Sequence, residues 1–228
     1  MNELAQKLIE ELQCETVFTI PVLGGIPVSE AVVVTWIIMA VLVIAAFILT
    51  RNLKVDHISK RQAVAESIVT GLMNMVQGMV GEKGRKYVPY LTTVMLYIGV
   101  SNIIGLFGFK SPTKDLRVTV ALALMSIILI EAAGIYHKGV KRWLHGFVEP
   151  VAIVTPINIL EVVTKPLSLC MRLFGNVLGA FVIMELLKMI LPVGLPVVFS
   201  LYFDIFDGLL QAYVFVFLTS LYIDEITE

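Results

Sequence analysis

Residues 31–49 run from Ala31 to Leu49 without one charged side chain. Nineteen such residues in a row leave a chain few options. A helix rises 1.5 Å per residue, so a stretch of this length crosses the ~30 Å hydrocarbon core of a bilayer. Comparable apolar stretches follow at 87–109, 116–136, 155–191 and 197–223. In lipid every backbone N–H and C=O must be satisfied internally, which restricts such segments to helices. The composition agrees: 58% of the 228 residues are hydrophobic and 15% are charged, against about 25% charged in soluble domains. The sequence therefore predicts an all-α membrane protein, a single integral membrane domain over 1–228. It has about five membrane-embedded helices and one surface or partly embedded helix over 62–80. In that helix Val64, Ile68, Leu72, Met75 and Met79 recur at helical spacing among the polar Glu66, Asn74 and Gln77.

The connecting segments set the expected orientation. Residues 1–30 read as a tail with a short amphipathic piece (Leu4, Leu8, Ile9, Leu12) and a turn-rich link from Pro21 to Pro27. The link 51–61 carries Arg51, Lys54, Lys60 and Arg61, and Lys138, Lys141 and Arg142 follow the 116–136 segment. Basic links mark the cytoplasmic side, which places the N-terminal tail outside and the acidic C-terminus inside. The loop 110–117 is a turn in which either Asp115 or Thr113 is placed to cap the next helix. The net charge of −1 gives no case for nucleic acid binding. Cys14 and Cys170 form neither a metal pair nor a disulfide framework, and the three scattered histidines make no zinc pattern. No cofactor or metal site is expected. No nucleophile elbow or phosphate loop is present, so the chain is not expected to be catalytic alone.

Arg172 lies deep inside the apolar 155–191 segment. A guanidinium costs several kcal/mol in hydrocarbon and cannot shed its proton there. It must face other protein or water, and an intramembrane charge of this kind marks a functional site. At 100° per residue, Glu161, Lys165, Ser168, Arg172, Asn176 and Gly179 share one face. Pro166 is placed to disturb the first two. Asp204, Asp207, Gly208 and Gln211 share a face of the last helix. Two polar stripes on consecutive helices point to a hydrated path for protons or cations. Other readings stay open at this stage. Arg172 pairs with Asp204 or Asp207 simply to join two helices, Glu185 and Lys188 form an ion pair one turn apart, and Ser168, Gly175 and Gly179 allow close helix packing.

Three stretches resemble subunit a of the F-type ATP synthases. They are Lys165-Pro-Leu-Ser-Leu-Cys-Met-Arg172-Leu-Phe-Gly-Asn176, Gln211-Ala-Tyr-Val-Phe-Val-Phe-Leu-Thr-Ser-Leu-Tyr-Ile223 and Pro112-Thr-Lys-Asp-Leu-Arg-Val-Thr-Val-Ala-Leu-Ala-Leu124. The resemblance covers roughly residues 30–225 and implies that the 87–109 and 116–136 segments form a hairpin. It also implies that 155–191 and 197–223 are two long tilted helices facing a ring of c subunits. The implied function is a stator with two half-channels that pass H+ or Na+ to and from a c-ring carboxylate, Arg172 standing between them. Carried over by position, Asn176 and Gln211 are polar neighbours of the arginine, and Asp204 stands where the family has a His or Glu in the inlet. Phe181 replaces an acid that many members carry, and Glu185 is expected to take over that role, with Asp207 as an additional acid. Asn158 stands where many members have Glu, and Glu161 lies one turn on. The implied partners are the c-ring, the b-subunit peripheral stalk, the remaining synthase subunits and membrane lipid. The implied location is the plasma (inner) membrane of a bacterial cell, with several passes. The rival readings are a self-contained secondary transporter that binds an anion at Arg172 and an intramembrane hydrolase. The first lacks a visible repeat and the second a nucleophile–base pair.

Overall fold

A computed structural model describes residues 16–21, 26–51, 53, 59–82, 84–107, 109, 111–146, 154–190 and 194–227. The expected amphipathic piece at residues 4–12 lies outside the described residues, as do Lys54 and Pro192. The protein is an all-α membrane protein. Its helices are α1 (Glu30–Thr50), α2 (Lys60–Val80), α3 (Val88–Ile103), α4 (Leu116–Lys138), α5 (Val140–Gly146), α6 (Thr155–Ile190), α7 (Leu195–Ser200) and α8 (Gly208–Thr227). A π-helical turn, Leu201–Asp207, joins α7 to α8. Among the described residues six helical segments are long and apolar enough to cross a membrane, and the one containing α2 is the least apolar.

One local feature departs from the sequence reading. Two strands flank the turn-rich link before α1 and pair antiparallel, β1 (Thr16–Ile20) with β2 (Ile26–Ser29). Its β-branched Thr16, Val17, Thr19 and Ile20 suit an extended backbone. The hairpin is tied to the α3–α4 turn. Ser29 Oγ donates to Asp115 Oδ2 at 2.8 Å, while Asp115 Oδ1 accepts from the Arg117 N–H at 2.9 Å. Asp115, and not Thr113, is thus the N-cap of α4. At the other end of α4, Gly139 takes φ +78°, a conformation that suits glycine, and its N–H closes the helix on the Ile135 carbonyl.

The core lies where α3, α4 and α8 meet. Leu91 and Ile98 of α3, Ile130 of α4 and Phe215, Val216 and Ile223 of α8 are fully buried. Lipid tails are as apolar as leucine, so burial of apolar area alone does not hold such helices together. Close packing and hydrogen bonds do. At Gly208 a Cβ would lie 2.7 Å from the Asn102 Cβ, so only glycine permits this approach of α8 to α3. Asn102 Nδ2 then donates to the Gly208 carbonyl at 3.0 Å and Asn102 Oδ1 accepts from Thr113 Oγ1 at 2.8 Å. Buried hydroxyls of Thr92 and Thr219 bond back to carbonyls four residues earlier, which leaves them no unmet need. By contrast α1 turns Val43, Ile44 and Phe47 outward, the pattern of a helix facing lipid.

Helix α6 is continuous through Pro166, which lacks the N–H that would bond back to Val162. It packs on α4, with Leu169, Cys170 and Leu173 buried. Most of its remaining surface is exposed or half-buried and apolar, including Leu160, Val163, Leu167 and Met171. A long helix with so much apolar surface uncovered by the described residues leaves a broad face for something else.

Candidate functional site: two charged cavities and an arginine between them

Many of the charged and polar residues of the membrane segments line two cavities. The first has a volume of about 380 Å³ and lies among the end of α3, the α3–α4 turn, the second half of α6 and the π-helical turn. Asp204 and Asp207 face it from the π-helical turn, and Asn176, Phe181, Glu185 and Lys188 from α6. Asn176 Nδ2 donates to Asp207 Oδ2 at 2.6 Å, which joins the two polar stripes directly. Ser200 Oγ donates to Asp204 Oδ2 at 2.7 Å. Both carboxylates thus meet neutral donors. Gly105 also lines the wall, and a Cβ there would stand 3.2 Å from Asp204 Oδ1. Glu185 accepts from Lys188 Nζ at 2.6 Å, so this pair forms. Lys114 enters from the α3–α4 turn, its Nζ 3.1 Å from the centre of the Phe181 ring.

The second cavity, about 290 Å³, lies at the opposite end of α4. It is lined by Glu131 and Lys138 of α4, Arg142 and Trp143 of α5, Glu161 and Lys165 of α6, and Glu225 of α8. Lys165 Nζ sits 3.0 Å from Glu225 Oε2 and 3.8 Å from Glu161 Oε2, and so links α6 to α8. Trp143 Nε1 donates to Glu131 Oε2 at 2.9 Å and holds α5 against α4.

Arg172 sits between the cavities on α6. It is four residues, about 6 Å, from Asn176 in the first and seven residues, about 10 Å, from Lys165 in the second, at 1.5 Å per residue. Its flanking Leu169 and Leu173 are buried, but Arg172 itself is exposed. Among the described residues no hydrogen bond or ion pair reaches it. The alternative of an Arg172 pair with Asp204 or Asp207 therefore fails in this chain, because those carboxylates are turned to Ser200 and Asn176. A Cβ at Gly175 or Gly179, on the same length of α6, would meet nothing within 4 Å. Among the described residues these small residues do not serve packing within the chain.

The structure brings Asn176, Glu185, Asp204 and Asp207 into one cavity and places Glu161 in the other. Gln211, one turn beyond Gly208, lines neither. It is buried, and its Nε2 has no partner among the described residues. Several cavity residues were not singled out from the sequence. Asn102, Lys114, Glu131, Arg142 and Glu225 come from helix ends and turns, where charged or polar groups are ordinary. Lys114 lies in the stretch Pro112–Leu124 that carries one of the three motifs, but nothing in that stretch tells it from an ordinary turn residue.

Taken together these features define a polytopic all-α membrane protein with two cavities lined by charged residues and one arginine between them. Comparison with known proteins specifies the family. Residues 32–224 match the family model described as ATP synthase A chain. The chain is 36% identical over 203 residues to ATP synthase subunit a of Moorella thermoacetica, covering 88% of this chain and 92% of that protein. It is 34% identical over 208 residues to ATP synthase subunit a 1 of Chlorobaculum parvum, covering 90% and 91%. It is likewise 34% identical over 215 residues to the sodium ion specific ATP synthase subunit a of Propionigenium modestum, covering 87% and 74%. The chain belongs to the ATP synthase subunit a family.

Proposed function

We infer that this chain is the ion-translocating stator subunit of an F-type ATP synthase in a bacterial plasma membrane. It is not catalytic by itself. The observation that carries the reading is the placement of Arg172, exposed on α6 and without a partner in its own chain among the described residues, between two charge-lined cavities. A cation that its own protein leaves unpaired inside a membrane calls for a partner outside the chain. A carboxylate on a passing c subunit meets that need.

On this reading the first cavity is the inlet from outside and the second the outlet to the cytoplasm, with the N-terminus outside and the C-terminus cytoplasmic. An ion enters through Glu185, Asp204 and Asp207 and is handed at Asn176 to the c-ring carboxylate. It rides round the ring and leaves through Glu161 and its neighbours. Arg172 favours the ionised carboxylate, because an opposite charge within ~4–6 Å stabilises the charged form. It therefore promotes release on one side and blocks passage straight from inlet to outlet. Arginine suits this role because it stays charged where a lysine would deprotonate. Each elementary charge crossing 100 mV releases about 2.3 kcal/mol, so several ions must pass for each ATP. The bare Cβ positions of Gly175 and Gly179 give a ring of helices room to pass close to α6.

Copurification tests the reading. The tagged chain is expected to bring down a c-ring and a peripheral stalk from detergent-solubilised membranes. A chain that purifies alone yet transports a solute would be a secondary transporter.

A further inference from the structure

The first cavity contains a charge that ion transport by carboxylates does not require. Lys114 is delivered there by a firmly held turn. Its own N–H bonds to the Ser111 carbonyl at 3.0 Å, and the next residue is the α4 N-cap Asp115. The Nζ lies over the face of Phe181, 3.1 Å from the ring centre, where the quadrupole of the ring attracts a cation. Phe181 is nine residues after Arg172, on the wall the cavity shares with Glu185. Three carboxylates (Glu185, Asp204, Asp207) and two ammonium groups (Lys114, Lys188) face the same space. The Lys188 ammonium is paired with Glu185. Among the described residues Asp204 accepts from Ser200 and Asp207 from Asn176, both neutral donors.

Carboxylate and amide oxygens are the donors that hard metal cations take. A space of about 380 Å³ lined by Asp204, Asp207 and the Asn176 amide is a natural resting place for one. A proton needs no such place, since it moves by relay between carboxyl groups and water. An alkali cation must arrive as an ion, shed water and sit among those oxygens, in a cavity where like charges repel strongly for want of bulk solvent. The ammonium of Lys114 is a compact point charge, already resident in that cavity. We propose that Lys114, seated on Phe181, is an ion-selectivity element that keeps alkali cations out of a proton inlet. This rests on the reading of the first cavity as the inlet.

The test uses the complete synthase, stripped of its catalytic head and reconstituted in liposomes, with passive proton uptake driven by a potassium diffusion potential. Uptake is measured in NaCl and in choline chloride at equal ionic strength, and the readout is the ratio of the two rates. The native complex and Lys114→Arg, which keeps the charge over Phe181, are expected to give a ratio near one. Lys114→Gln is expected to be slowed about threefold or more in NaCl relative to choline. Equal rates in both salts for Lys114→Gln would overturn the assignment. So would loss of its uptake in both salts alike, which would make the lysine part of the path itself. Sodium-dependent transport by the native complex would overturn it too, while leaving the stator reading intact. A native complex that conducts no ion in either salt would instead sink the stator reading on which the inference rests.

Discussion

Replacing Gly208 with alanine should damage the protein through one contact whose size follows from the geometry. The new Cβ would stand 2.7 Å from the Asn102 Cβ, whereas ordinary van der Waals contact begins near 3.4 Å. A Cβ is fixed by its backbone, so no rotamer relieves the clash, and α3 and α8 must part by about 1 Å to reach normal packing. That movement stretches the 3.0 Å bond from Asn102 Nδ2 to the Gly208 carbonyl beyond hydrogen-bonding range. Overpacking costs about 1–3 kcal/mol and the lost bond about 1 kcal/mol. Alanine recovers about 1 kcal/mol of helix propensity, so the net loss is about 1–3 kcal/mol. Because Gly208 also borders the first cavity beside Asp207, coupled ion transport should fall as well. The assay is the fraction of chain retained in the purified synthase after heating, read on native gels alongside ATP-driven ion uptake. Gly71→Ala on α2 serves as the control, since a Cβ there meets nothing within 4 Å. Equal heat resistance of Gly208→Ala, Gly71→Ala and the native chain would refute the claim that α3 and α8 meet at this glycine.

Further substitutions separate the parts of the account. A Cβ at Gly175 would meet nothing within 4 Å, so the Gly175→Trp chain should accumulate normally in membranes while coupled uptake is lost; full uptake would mean that nothing passes that face. Combining Glu185→Gln, Asp204→Asn and Asp207→Asn should slow coupled uptake about a hundredfold or more, the lower end of what positioned proton-transfer groups contribute, and uptake at the native rate would remove these acids from the path. Lys165→Gln breaks the links to Glu161 and Glu225, which are half-exposed or exposed, so heat resistance should change by about 1 kcal/mol or less, and a large loss would show that this bridge holds α6 to α8.

The class of fold was legible because uncharged stretches such as 31–49 leave helices as the only option. Arg172 was legible because one charge in an apolar segment is conspicuous. The 100° helical count also anticipated that Asn176 would lie on the face of Arg172, and the structure joins Asn176 to Asp207. The cavities themselves were not legible. Each is assembled from segments far apart in the chain, such as Asn102 with Asp204, or Glu131 with Glu225, and no local pattern encodes such meetings. Lys114 looked like an ordinary turn residue because its partner, Phe181, lies on another element. Gln211 shows the converse. A helical stripe groups it with Asp204 and Asp207, but depth along the helix decides which members reach the cavity, and Gln211 is buried beyond it. The hairpin of β1 and β2 was hidden by the prolines and glycines of its link, which signal a turn without saying whether strands flank it.

The most direct test of the central claim is ATP-driven ion uptake in inverted membrane vesicles carrying either the native chain or Arg172→Ala, with assembly of the synthase confirmed for both. The account predicts that the Arg172→Ala complex assembles, because this side chain makes no bond within its own chain among the described residues, and that its coupled uptake is abolished. Uptake at the native rate from an assembled Arg172→Ala complex would contradict it, since the exposed arginine between the two cavities would then play no part in moving ions.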